Sequence, residues 1–471
     1  MRITGIIIAL FIFFSFGCKK FVTIAPPIDT IPADGVFKDN TTATAAQLSI
    51  YIQMGSGSFP YNLLLLTGYS GDELFSYSKD LVLAGYYTNK ISPIDERASD
   101  LWSPSYSYIY QANAIIEGLK GNGVVNSNIA RQLTGESEFV RAFFNFYLTG
   151  LYGDIPLVTS TKYSINATIS RTPQADVYKQ IINDLLDAET KLSPHFVDAS
   201  DTTETTERTR PTSWAAAALL ARVYLYTSNY NEAYAQANKV ISNTELFNLN
   251  SSLGQVFTSN NSEAIWQLQP VAADVFDTQE GYNFILASTP GTGVNNCSTI
   301  SQQLMTAFET DDARKTAWID SVSVDANVYY YPAKYKIRTP DNSEYSTQLR
   351  LAEQYLIRAE AQANGAGSGI SGAISDLNVI RNRAGLNSYS GTTDRASVLA
   401  AIIHERQVEF FVEDGLRWLD LKRTGLANSV LGSPGNVTMS KGGSWSAGSL
   451  LYPIPQTERN NDPNLSQNPG Y

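Results

Sequence analysis

The stretch Tyr355-Leu356-Ile357-Arg358-Ala359-Glu360-Ala361, a glycine-rich turn from Gly365 to Gly369, then Ala373 and Asp376-Leu377-Asn378 with Ile380-Arg381-Asn382-Arg383-Ala384-Gly385, decides the fold. It repeats a design met earlier in the chain. There Ala215 to Tyr226 is rich in Ala and Leu, Thr227-Ser228-Asn229-Tyr230 makes a turn, and Glu232-Ala233 opens a return helix. Small residues at Ala221 and Ala233, and again at Ala359 and Ala373, fall where two helices must approach closely. This is the tetratricopeptide pattern of helical hairpins, although the two hairpins lie too far apart in sequence for a regular array. The expectation is a mainly α fold: tetratricopeptide-like hairpins forming a scaffold, interrupted by long loop-rich insertions.

Other segments add helices to that scaffold. Thr41 to Gln53 reads as helical, and Trp102, Tyr106, Ile109, Tyr110, Ala112-Asn113 and Ile116 recur at the three- and four-residue spacing of an amphipathic helix. From Glu138 to Tyr152 aromatic residues occur nearly all round, which predicts a helix buried among others and stopped at Gly153-Asp154-Ile155-Pro156. Val177 to Leu192 is again amphipathic. Asp198 to Arg210, rich in Thr, Asp and Glu with no apolar period, reads as a solvated loop.

The N-terminus carries an address. Met1-Arg2 is a short positive region, Gly5 to Phe16 is almost unbroken apolar sequence, and Gly17-Cys18 closes it. This order predicts a lipoprotein signal peptide over residues 1–17 and a mature chain beginning at a lipidated Cys18. Residues 18–40, with Pro26-Pro27 and Pro32, then form an extended tether. With Cys18 acylated, Cys297 has no cysteine partner and is expected as a small, partly buried loop residue. At 43% hydrophobic the chain can bury a large core, and its net charge of -11 disfavours nucleic acid, whose capture needs Lys and Arg on phosphates.

The C-terminal segments continue through Glu405-Arg406, Glu409-Phe410 and Arg417-Trp418-Leu419-Asp420-Leu421-Lys422-Arg423. They close with Leu451-Tyr452-Pro453-Ile454-Pro455 and Asn464-Leu465-Ser466-Gln467-Asn468-Pro469-Gly470-Tyr471. In this order the chain resembles the SusD/RagB family, nutrient-binding outer-membrane lipoproteins of Bacteroidetes, from roughly Pro26 to Tyr471. The resemblance implies one SusD-like domain over 41–471, with an N-terminal part to about residue 265 and a RagB/SusD part from about 266. It implies a capture protein and not an enzyme, anchored by Cys18 to the outer membrane and facing outward. Its ligand would be an oligosaccharide or polysaccharide handed to a SusC-like TonB-dependent transporter. Peptide capture, as on the RagB side of the family, is the alternative, and an extracytoplasmic glycosidase is a further one.

Catalytic patterns are weak. His404-Glu405-Arg406-Gln407-Val408 begins like a zinc-protease helix but places Val408 at the second ligand position, and His195 is the other histidine of the chain. Glu405 and Glu409 share a helical face, where a carboxylate pair can serve glycoside hydrolysis; Arg406, Arg417, Asp420 and Arg423 nearby favour salt bridges between helices instead. No catalytic residue, metal site or cofactor is assigned. Sugar binding calls for exposed aromatic platforms with hydrogen-bonding partners on loops. Tyr69 to Tyr77 with Trp102, and the insertion Gln269 to Ser301 with Phe276, Tyr282, Asn283, Phe284, Asn295 and Asn296, fit this description. Tyr282 and Trp102 are expected as platforms, with Asp72 and Asn283 as hydroxyl partners.

Overall fold

The computed structural model describes residues 33–271 and 277–471. The expected leader, Cys18, the tether prolines and Phe276 lie outside the described residues.

Helix α1 (Asn40–Ser56) starts where the Asp39 carboxylate accepts the Thr42 backbone N–H at 2.8 Å, satisfying a first-turn donor that has no partner within the helix. Helix α2 (Phe59–Ser70) is buried at every position. Then come α3 (Trp102–Leu119) and α4 (Ser127–Tyr152). Helix α4 begins well before its aromatic run because Asn126 caps it, accepting the Asn128 N–H at 2.9 Å. From Gly135 onward all of its residues are buried, as aromatics around the full circumference require. It ends at Gly153, whose φ of 76° suits a residue without a Cβ.

A continuous stack follows. Helix α5 (Gln174–Lys191) packs on α4, α6 (Ser213–Tyr226) on α5, and α7 (Tyr230–Ile241) on α6. Next, α8 (Leu351–Ala363) packs on α7, α9 (Gly369–Arg383) on α8, and α10 (Arg395–Glu409) on both α8 and α9. The repeat broken in sequence between Ile241 and Leu351 is therefore unbroken in space. Ala221, Ala233, Ala237 and Ala361, all buried, form the seam that lets the α6–α7 hairpin approach α8. Ala352, Ala359 and Ala373 do the same between α8 and its neighbours. A short helix, α11 (Leu416–Arg423), follows α10.

Six short strands among the described residues sit in the intervening segments: β1 (Leu74–Ser76), β2 (Ala264–Leu268), β3 (Ser298–Ile300), β4 (Ile319–Val324), β5 (Asn327–Pro332) and β6 (Ser346–Arg350). They pair antiparallel as β1 with β3, β2 with β6, and β4 with β5. The Asp198–Arg210 segment is less solvated than its composition suggests. Arg210 is buried, and its Nε donates to Glu136 Oε1 of α4 at 3.1 Å while its Nη2 pairs with Asp201, so the loop is pinned to the core. Cys297 also lies deeper than expected: it is fully buried beside β3, its sulfur 3.5 Å from the Tyr69 hydroxyl.

Charge pairs inside the scaffold tie the stack to the strands. Glu409 of α10 is fully buried and meets Arg314 at 2.9 Å, Arg350 of β6 at 2.6 Å, and Arg383 of α9. Burial alone would raise its carboxyl, but the guanidiniums of Arg383, Arg350 and Arg314 hold it well below the usual carboxylate range. Glu405, one turn earlier, pairs with Arg314 at 2.6 Å and Arg381 at 3.3 Å. Both carboxylates are buried and committed to ion pairs within the scaffold.

Removing Glu409 takes a carboxylate from three buried guanidiniums at once, although each keeps another partner, so Glu409→Ala is expected to lower stability by roughly 3–5 kcal/mol in urea denaturation. Glu73 behaves oppositely to Glu409. Burial, reinforced by Asp72, pushes its carboxyl up to about 8 from an ordinary value of 4.5, although the Val412 N–H, Arg417 and Lys334 oppose the shift. The folded state then holds a proton that the unfolded chain releases, so this residue's contribution falls as pH rises from about 4.5 to about 8. Glu73→Gln is expected to flatten that part of the stability–pH curve and to raise the melting temperature at pH near 8, as followed by circular dichroism.

Candidate ligand-binding site

An open cavity of about 510 Å³ lies between α2, the turn preceding α3, and the insertion that begins at Gln279. Helix α2 contributes Tyr61 and Asn62, the turn contributes Glu96, Arg97 and Asp100, and the insertion contributes Gln279, Tyr282, Asn283 and Asn295. Tyr282 stands in a short helix, Gln279–Phe284, capped by Thr278, whose Oγ1 accepts the Gly281 N–H at 3.0 Å. Gly281 is required here by close approach, since a Cβ would lie 2.2 Å from the Ile337 carbonyl oxygen.

The walls of the cavity are braced from behind. Asn296, in the left-handed region at φ 48°, donates its amide to the carbonyls of Tyr282, Asn283 and Ile285 at 3.0, 2.9 and 3.1 Å. Asn283 donates to the Gln279 carbonyl at 2.8 Å, and Gln279 reaches the Ser56 carbonyl at 3.2 Å, joining the insertion to the end of α1. The Tyr61 hydroxyl donates to the Val294 carbonyl at 3.1 Å, and its ring meets Phe284 edge-on at 5.3 Å. The Arg338 guanidinium lies 5.6 Å from the centre of the half-buried Tyr282 ring. On the opposite wall Asp100 Oδ2 accepts from both Asn62 and Arg97 at 3.3 Å. Partial burial raises the Asp100 carboxyl, and Arg97 opposes the shift. The cavity thus offers an aromatic surface together with amide, carboxylate and guanidinium groups.

Of the residues expected to bind ligand, Tyr282 and Asn283 border this cavity, but Asn283 is 4% exposed and its amide is already held by Gln279. Trp102 does not join them: it is 2% exposed, its ring 4.9 Å from those of Tyr106 and Tyr152, because it heads the apolar stripe of α3 and that stripe faces the core. Asp72 is likewise withdrawn. It is 3% exposed, and both its oxygens are taken by Arg417 at 2.8 and 2.6 Å, so it joins α2 to α11 and cannot serve a sugar hydroxyl. Sequence reasoning missed Glu96, Arg97 and Asp100. Their signal was the polar run Asp95-Glu96-Arg97, two residues after Pro93 and just ahead of an amphipathic helix.

Residues 177–471 match the SusD family, and residues 44–225 match a family described as starch-binding and associating with the outer membrane. The chain belongs to the SusD family. Among curated relatives it is similar to SusD-like protein P2 of Formosa agariphila, with 27% identity across 94% of this chain and 95% of that one. A SusD superfamily protein from Bacteroides vulgatus superimposes with a TM-score of 0.80 at 23% identity, covering 92% of this chain and all of that one. A laminarin-binding SusD-like protein gives 0.75 at 23%, again over 92% of this chain and 100% of that one. At such identities the two structures establish the shared helical fold.

Trp102→Ala is expected to act on the core and cost roughly 3–5 kcal/mol of stability. Differential scanning calorimetry would show this as a large fall in melting temperature, and a variant that melts like the wild type would return Trp102 to the surface.

Proposed function

We propose that this protein is a cell-surface, glycan-binding lipoprotein that captures an oligosaccharide in the Tyr282 cavity and delivers it to a SusC-like TonB-dependent transporter of the outer membrane. The observation that carries the reading is the make-up of the cavity: a half-buried tyrosine ring among side-chain amides, a carboxylate and a guanidinium, on loops braced by a helical stack. A neutral sugar presents apolar C–H faces, which suit Tyr282, and hydroxyls, which suit Asn295, Arg97 and an Asp100 carboxylate already oriented by Asn62. Membership of the SusD family supports capture over catalysis. The starch-binding, outer-membrane description of the second matching family and the likeness to a laminarin-binding protein support a carbohydrate ligand. The lipid anchor at Cys18 rests on the Gly17-Cys18 ending of the apolar leader, and the outward orientation on membership of the SusD family.

Titration calorimetry with malto- and laminari-oligosaccharides tests the binding step. Tyr282→Ala is expected to weaken binding roughly three- to tenfold, in keeping with aromatic contacts of about 0.5–1.5 kcal/mol. Binding of peptides in place of every sugar would favour the RagB-like alternative. Release of reducing ends from a bound glycan would favour a glycosidase, with Glu96 and Asp100 in the cavity as its carboxylates. For the anchor, Cys18→Ala is expected to move the protein from the membrane to the soluble fraction. A variant still labelled by a palmitate analogue would overturn the lipidation site.

A further inference from the structure

The Tyr282 cavity is polarised by charge. Its walls carry two carboxylates, Glu96 and Asp100, and one guanidinium, Arg97, all supplied by the turn that precedes α3. Arg97 is committed to Asp100: the two pair at 3.3 Å, their side chains each 27% exposed. Glu96 is exposed and, among the described residues, makes no ion pair. This wall therefore keeps an uncompensated negative charge, in a chain whose net charge is -11.

Asp100 has capacity left as well. Its Oδ2 accepts from Asn62 and Arg97, both at 3.3 Å, while its Oδ1 accepts no hydrogen bond among the described residues. Partial burial raises its carboxyl, Arg97 opposes that rise and Asp80 adds to it, so a further cation beside Oδ1 would relieve a charge that burial penalises. An anion placed there would meet Glu96, Asp100 and the field of Asp80 together. The remaining cation near the cavity stands at the other end. The Arg338 guanidinium lies 5.6 Å from the Tyr282 ring centre and 3.5 Å from Asn296 Oδ1, and Arg338 is not one of the walls. A sugar whose C–H face rests on Tyr282 presents its ring substituents to the other walls, Glu96 and Asp100 among them.

We propose that Glu96 and Asp100 select the captured glycan by charge: the cavity takes chains of amino sugars with free, protonated amino groups in preference to N-acetylated chains, and turns away chains bearing uronate carboxylates. This inference rests on the glycan reading of the cavity and deepens it, naming the substrate class by the group that meets the turn. An ammonium brings a positive charge and several donors to Asp100 Oδ1, where an acetamide brings one neutral N–H and a carboxylate is repelled.

The test is titration calorimetry with three probes of matched length at mildly acidic pH: a fully deacetylated chitin oligosaccharide, its N-acetylated counterpart and an oligogalacturonate. Wild type is expected to bind the amine-bearing chain roughly three- to tenfold more tightly than the acetylated one and not to bind the uronate chain. Raising sodium chloride from about 0.05 to about 0.5 M is expected to bring the first two affinities together. Asp100→Asn and Glu96→Gln are each expected to move the ratio of those affinities toward one, whereas damage to the fold would weaken both chains alike. Should Asp100→Asn fail to fold, Glu96→Lys, at an exposed position, is expected to reverse the order of the two chains and to admit the uronate chain. Equal wild-type affinity for amine-bearing and acetylated chains, binding of the uronate chain by the wild type, or a ratio unmoved in the folded variants overturns the proposal. A wild type that binds only malto- or laminari-oligosaccharides overturns it too, while the cavity reading survives through the effect of Tyr282→Ala. A wild type that binds no sugar overturns both.

Discussion

One carboxylate holds the architecture together. Glu409 sits at the end of α10, where it meets guanidiniums from β6, from α9 and from the segment that precedes β4. These three elements come from different parts of the chain, and none touches the others through a large apolar face alone. A buried charge without partners is costly in a core, and Glu409 is the carboxylate that all three arginines share, beside the further partners each one has. The pairing fixes where the long insertion must leave the helical stack and where it must return. Arg350 enforces the return most directly, because it also binds Glu413 at 2.7 Å and Glu263 at 3.1 Å, joining β6 to the start of β2 as well as to α10.

Similar pairs recur through the stack: Arg222 with Glu353, Arg358 with Asp376, Arg141 with Asp184, and Arg423 with Glu360. They differ from the alanine seams in kind. Close-packed alanines allow helices to approach but tolerate sliding, since one small apolar surface resembles the next. A two-point contact between guanidinium and carboxylate accepts one register. Apolar packing thus supplies adhesion and the ion pairs supply position, and the loops that carry the cavity inherit that fixed frame.

How much of this was legible depended on whether the signal was local. The hairpins could be read because Ala221, Ala233, Ala359 and Ala373 mark helix crossings by size alone, and the Arg/Glu-rich C-terminal segments could be read as scaffold because their charges lie on helices. Trp102 and Asp72 misled for the opposite reason. An aromatic residue and a carboxylate near a loop look available until a partner distant in sequence removes them: Tyr152 for the first, Arg417 for the second. The polar run around Tyr282 pointed to a loop, yet Asp277, Thr278, Glu280 and Asn283 are all buried and only the Tyr282 ring among them stays half-buried at the cavity. Arg97 and Asp100 were missed because their use depends on Asn62 and on an insertion that arrives nearly two hundred residues later. Arg210 shows the same limit, since nothing local says that Glu136 lies beneath its loop.

The amide of Asn296 bears on timing. By donating to the carbonyls of Tyr282, Asn283 and Ile285 it orders the turn beneath Tyr282 before any ligand arrives. The conformational entropy of that turn is lost during folding and not during capture. Under the proposed capture of a sugar, the ligand would meet this turn already ordered, and association would not wait on its folding.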